Sequence, residues 1–146
     1  MRDRLRLYKF LTWLKELQEE QAKVRVFNAK INLQKLREEK EILSEEYQES
    51  QNYLKEKRNL RGEELKNWFL YLNRLSEFLN IVDRKIESQE MALQELVEDF
   101  MNKHREKRIM ERLYQRATKA SKEVEFKKAL KILDDLILLR KGRDIA

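Results

Sequence analysis

"RNLRGEELKNWFLYLNRL", residues 58–75, holds the one punctuated place in the middle of the chain. Gly62 is one of only two glycines, the other being Gly142, and proline is absent. On either side the sequence reads as uninterrupted helix, so the fold turns on what happens at Gly62. Arg58 and Arg61 stand where cations favour a helix C-terminus, and Glu63 and Glu64 where anions favour an N-terminus. Gly62 is placed as a C′ residue, in the left-handed conformation that glycine adopts without a Cβ penalty. These signals agree on an all-α fold, a long antiparallel two-helix coiled-coil hairpin turning near Gly62. The competing reading is a single helix through a tolerated glycine, at a cost of about 1 kcal/mol. That helix would be a rod dimerising with another copy.

Outward from the turn, the second arm steps by three and four from Leu65 through Trp68, Leu72, Leu75, Leu79, Val82 and Ile86. The pattern continues through Leu93, Leu96 and Phe100. This is the 3.5-residue spacing of a coiled-coil seam. Lys103 and Lys107 then occupy seam positions, so packing there is expected to be weaker or wetter. The first arm shows two stripes. One runs Leu7, Phe10, Leu14, Leu17, Gln21, Val24, Asn28 and Ile31. The other runs Ala22, Val26, Ala29, Leu33, Leu36, Lys40, Leu43, Tyr47, Ser50 and Leu54. Their overlap reads as a phase shift in the heptad count, with polar Gln21, Asn28 and Lys40 fixing register.

The expected organisation is a single elongated domain: a first arm at 7–58, a turn at 59–64, a second arm at 65–115 and a C-terminal helical extension at 116–141. Pairing the two arms gives a stalk of roughly 75 Å and leaves about 30 residues overhanging the N-terminus. In that overhang Phe126, Leu130, Leu133 and Ile137 form one helical face, which Ala129, Ile132, Leu136 and Leu139 widen. Gly142 among basic residues is expected to end the helix. Such an amphipathic helix either waits for an external partner or folds back on the first arm.

Composition excludes much chemistry. Charged and hydrophobic residues each make up 41% of the chain, which favours solvated helices with a buried seam over both a compact globule and disorder. The absence of cysteine removes disulfides, thiolate nucleophiles and Cys-ligated zinc. Two distant glycines make no phosphate loop. His104 is the sole histidine and is expected to be a solvated surface residue. Adjacent carboxylates such as Glu45 with Glu46 and Asp134 with Asp135 diverge on a helix, so they form no acid–base pair. No enzyme activity and no cofactor are expected. Lys103–Arg108 could track phosphates, but Glu106 interrupts it and no aromatic platform accompanies it, so nucleic acid is not expected as a partner. No apolar run reaches the length of a membrane span, and no cleavable leader is expected.

The aromatic run after the turn is the sharper feature. With Trp68, Leu72 and Leu75 on the seam, Phe69, Tyr71, Phe78 and Ile81 fall off it. Tyr71, Leu75, Phe78 and Val82 make a second face that a two-helix hairpin cannot cover. Exposed aromatic surface of this kind marks an interface, although neighbouring aliphatic stems could also wrap it.

Three short motifs then occur in order. They are the aromatic opening Trp68, Tyr71-Leu72, Leu75, Leu79, the basic element Arg108 with Glu111-Arg112-Leu113, and Lys131, Leu133, Asp134, Asp135 near the end. Together they resemble the flagellar export protein FliJ family and its relative, the YscO stalk proteins of virulence type III secretion. The resemblance implies a non-catalytic stalk similar to the gamma subunit of rotary ATPases, with its termini in the export ATPase ring. It also implies contact with the cytoplasmic domain of the export-gate protein FlhA, and the handling of export chaperones. By that similarity Tyr47, Tyr71, Leu75, Phe78 and Val82 are candidates for the gate protein. Phe126, Leu130, Leu133 and Ile137 are candidates for the ATPase. The implied location is cytoplasmic, peripheral at the inner face of the cell membrane, which is reached only through the export gate.

Overall fold

A computed structural model describes the backbone of residues 2–57 and 59–145, and side chains as far as Arg143. Arg58 therefore lies outside the described residues. Helix α1 runs Arg2–Glu56 and helix α2 runs Gly62–Ile145, with no strand among the described residues. Neither helix is interrupted, as expected for a chain without proline and rich in Leu, Glu, Lys and Arg. The fold is the all-α hairpin, and the single continuous helix is excluded.

The reversal differs in its chemistry from the sequence expectation. Gly62 is the first residue of α2 rather than the residue beyond α1, and its φ is not positive. The Leu65 amide donates to the Arg61 carbonyl at 3.0 Å, so Arg61 caps α2. The Lys57 amide donates to the Tyr53 carbonyl at 3.1 Å and closes the last turn of α1. The chain reverses between Glu56 and Gly62, and no described residue enters the left-handed region. Glu63 and Glu64 do lie in the first turn of α2, where the helix dipole favours them. Gly142 likewise fails to end its helix, since α2 continues through it to Ile145. A lone glycine among strong helix formers costs too little to stop propagation.

A Cβ built at Gly62 meets no atom within 4 Å. Gly62→Ala is therefore expected to stabilise the hairpin by about 0.4–1 kcal/mol through a less flexible unfolded chain. A urea midpoint below that of the parent chain would show that Gly62 carries a conformational role.

The chain divides into two compact units. One comprises Gln21–Phe100, and the other Met1–Glu20 with Met101–Ala146. In the first of these the seam is dry. Leu33, Val82 and Ile86 form a buried cluster, flanked by Leu36, Leu43 and Leu93. Ala22, Leu72 and Leu75 are also buried. Pairs on the rim set the antiparallel register: Lys40 Nζ with Asp83 at 2.7 Å and Arg37 with Glu90 at 3.3 Å. The expected second-arm seam is the observed one from Trp68 onward, and Leu65, its first step, is exposed.

The unit that holds both termini has a different seam. Its inward positions on α1 are Leu5, Tyr8, Leu11, Lys15, Gln18 and Glu19, all half-buried. Leu7, Phe10 and Leu17, expected to pack, are exposed. So are Gln21, Val24, Asn28 and Ile31 further along α1. There is thus no phase shift. The stripe from Ala22 to Leu54 simply continues backwards through Gln18, Lys15, Leu11 and Tyr8, and the other stripe, apart from half-buried Leu14, faces outward.

Candidate docking surfaces

The first surface lies beside the turn, in the unit Gln21–Phe100. Trp68 packs on Tyr53 with ring centroids 4.9 Å apart, and Tyr71 meets Trp68 edge-on at 5.9 Å. Lys57 Nζ lies over the Tyr53 ring, 4.8 Å from its centroid, and donates to the Tyr53 hydroxyl. The Tyr71 hydroxyl donates to Glu46 Oε1 at 2.7 Å, and this hydrogen bond raises the phenol pKa above its ordinary value. Lys57 is raised too, chiefly by its hydrogen bond with Tyr53. Glu46, Leu60, Glu64 and Asn67 line an open groove with Trp68 and Tyr71.

The five candidate gate-binding residues do not share one exposure. Tyr71 and Phe78 are exposed, Tyr47 is half-buried, and Leu75 and Val82 are buried against α1. Leu75 and Val82 belong to the seam, so a partner can reach only the outer part of this set. Exposed Phe69, Leu70 and Ile81 extend the apolar surface beyond the five. Neighbouring stems do not wrap Phe69 or Phe78, whose relative exposures are 54% and 53%.

The second surface belongs to the other unit. From Glu125 to Arg143 every side chain of α2 is exposed. Phe126, Leu130, Leu133 and Ile137 lie on one face, and Ile132, Leu136 and Leu139 broaden it. Residues three and four apart share a helix face, so this apolar band covers about half of the helix circumference. Lys127, Lys128, Lys131, Asp134 and Asp135 occupy the opposite half. The segment does not fold back on α1.

Charge is distributed unevenly. Residues 1–20 and 101–146 carry 19 Lys and Arg against 11 Asp and Glu, a formal +8. Residues 21–100 carry 14 against 16, a formal −2. The whole net positive charge thus lies in the unit with the exposed terminal segment.

Within that unit the basic run Lys103–Arg108 is partly consumed by the seam. Lys107 Nζ bonds Glu19 at 2.9 Å, and His104 Nδ1 lies 2.9 Å from the same carboxylate. Lys15 Nζ reaches Glu106 at 3.1 Å. His104 therefore combines a hydrogen bond to Glu19 with a side chain that is still 43% exposed. The sequence spacing had already put Lys103 and Lys107 on the seam, but gave no sign of the facing carboxylates. The Glu19 side chain is only 16% exposed, and its hydrogen bond with Lys107 holds the carboxyl below its ordinary value of 4.5. The Lys15 bond lowers Glu106 in the same way.

A carboxyl depressed by folding contributes stability that is complete above its ordinary pKa and lost as pH falls through the folded value. The urea midpoint is therefore expected to be flat from about pH 6 to 9 and to decline below about pH 4. Glu19→Gln should flatten that decline. An unchanged acid limb in Glu19→Gln would remove Glu19 as its source.

No family model, curated protein or solved structure matches this chain.

Proposed function

We propose that the chain is a non-catalytic stalk and adaptor of a flagellar or related type III protein export apparatus. In this reading it couples the export ATPase to the export gate and handles export chaperones. The observation that carries it is the terminal segment of α2. From Glu125 to Arg143 it offers a broad apolar face that no described residue covers. Leaving such a band in water forgoes about 1.5–3 kcal/mol for each large side chain that a partner could bury. An amphipathic helix of this kind docks into a groove on another protein. The export ATPase would take Phe126, Leu130, Leu133 and Ile137, and the gate protein's cytoplasmic domain would take Tyr71 and Phe78. The hairpin and the three ordered motifs that resemble the FliJ family support the same reading. Attachment at the inner face of the membrane would then run through the gate, and no helix of the described residues is long and apolar enough to cross a membrane.

The test is co-purification with an export ATPase and with the soluble domain of its gate protein, together with ATPase turnover. Truncation after Lys122 is expected to keep the hairpin's helicity and abolish stimulation of the ATPase. Phe78→Ala is expected to change stability by less than about 0.5 kcal/mol and to weaken gate binding about tenfold or more. A truncated chain that stimulates fully, or a Phe78→Ala chain that binds normally, rejects the corresponding contact.

A further inference from the structure

The outward face of α1 carries a second heptad repeat that the hairpin does not use. Leu7, Leu14, Gln21 and Asn28 recur every seven residues, as do Phe10, Leu17, Val24 and Ile31. The two sets alternate by three and four, which is the a and d spacing of a coiled coil. α1 is one helix from Arg2 to Glu56, and its other face is occupied by α2. On this stripe Leu7 is 53% exposed, Phe10 55%, Leu17 40%, Val24 49% and Ile31 39%, while Leu14 is half-buried. Trp13 lies beside it, its ring centroid 5.9 Å from that of Phe10.

We propose that this face pairs with the same face of a second copy, as a parallel, in-register coiled coil of two α1 helices. Three features select that occupant. The first is the placement of the amides. Gln21 and Asn28 interrupt an otherwise apolar stripe at a positions. In parallel register each meets its own counterpart, and amide pairs satisfy one another. An antiparallel pairing centred on the stripe would set Asn28 against Phe10 and Gln21 against Leu17, leaving both amides without partners. A lipid surface would do the same, because it offers apolar positions no hydrogen bonds. The second feature is charge. Glu20 falls at a g position and Arg25 at the following e position, so Glu20 of each copy faces Arg25 of the other, twice by symmetry. The third is width. The stripe is the narrow a/d seam of a two-stranded contact, unlike the half-circumference band at the end of α2. The product is a dimer joined through α1.

The experiment measures the mass of the intact chain by light scattering and sedimentation over a wide concentration range, together with single-cysteine crosslinking. The chain has no cysteine of its own, so every thiol introduced is unique. The expected mass is twice 18.0 kDa at the higher concentrations. Asn28→Cys is expected to form an interchain disulfide under mild oxidation, whereas Lys30→Cys, exposed on the same helix, is not. Leu17→Glu should raise the dissociation constant about a hundredfold or more with helicity unchanged, and Leu133→Glu should leave it unaltered. A single-chain mass at every concentration overturns the proposal. So does crosslinking of Asn28→Cys to a Phe10→Cys copy in preference to another Asn28→Cys copy. Loss of the dimer in Leu133→Glu but not in Leu17→Glu overturns it too, and so does flotation of the chain with vesicles through Phe10 and Trp13.

Discussion

Val82→Asp is expected to unfold the hairpin. Circular dichroism at room temperature should show most of the helical signal gone and no cooperative melting transition. Val82 is 3% exposed and sits in the cluster with Leu33 and Ile86. A carboxylate there forfeits about 1.5–3 kcal/mol of apolar burial and adds the larger cost of an unpaired charge removed from water. The nearest rim cation, Lys40, is already bonded to Asp83. A domain commonly has about 5–15 kcal/mol in reserve, and a seam only two helices thick falls at the low end. Val82→Ala is the graded control. It should cost about 1–3 kcal/mol and leave a cooperative transition at a lower urea midpoint. If Val82→Asp melted like the parent chain, Val82 would have to face solvent, and the register set by Lys40 with Asp83 would be wrong.

Glu19→Lys is expected to lower the urea midpoint by the equivalent of about 2–3 kcal/mol, allowing for the partial solvation of the cluster. The Glu19 carboxylate holds Lys107 at 2.9 Å and His104 at 2.9 Å. Replacing it with an ammonium leaves Lys107 facing a like charge and takes from His104 its carboxylate partner. The loss should shrink as salt is raised, because screening weakens the new repulsion. The double variant Glu19→Lys with Lys107→Glu should recover more than half of the loss. A Glu19→Lys chain as stable as the parent, or a double variant no better than the single, would show that the cluster contributes no net stability.

Legibility in the sequence followed hydrophobicity and failed where polar residues pack. The seam of α2 could be read directly, since Leu72, Leu75, Leu79, Val82 and Ile86 are apolar at every expected step. The first twenty residues misled because their outer face is the more apolar one. Leu7, Phe10 and Leu17 look like core, while Lys15, Gln18 and Glu19 look like surface. The correct face was reachable by extending the heptad of Ala22, Leu33 and Leu36 backwards without regard to polarity. Glu19 and Glu106 were then waiting opposite Lys107 and Lys15, a complementarity that appears only once the register is fixed. Gly62 marked the right place for the wrong reason. The helix does stop nearby, but no described residue there is left-handed. Among the candidate surfaces, the exposure of Tyr71 and Phe78 was legible from their positions off the seam. Leu75 and Val82 satisfied two periodicities at once, and burial chose the inner one.

The contrast between the two seams sets an order of opening. Where Leu33, Val82 and Ile86 meet, separation must expose hydrocarbon all at once. Where Lys15, Glu19, His104 and Lys107 meet, each group that parts is received by water. Local unfolding is cheapest where few apolar contacts must break. The bonds of Glu19 with Lys107 and His104 can therefore open and close again many times for each parting of Leu33 from Val82 and Ile86.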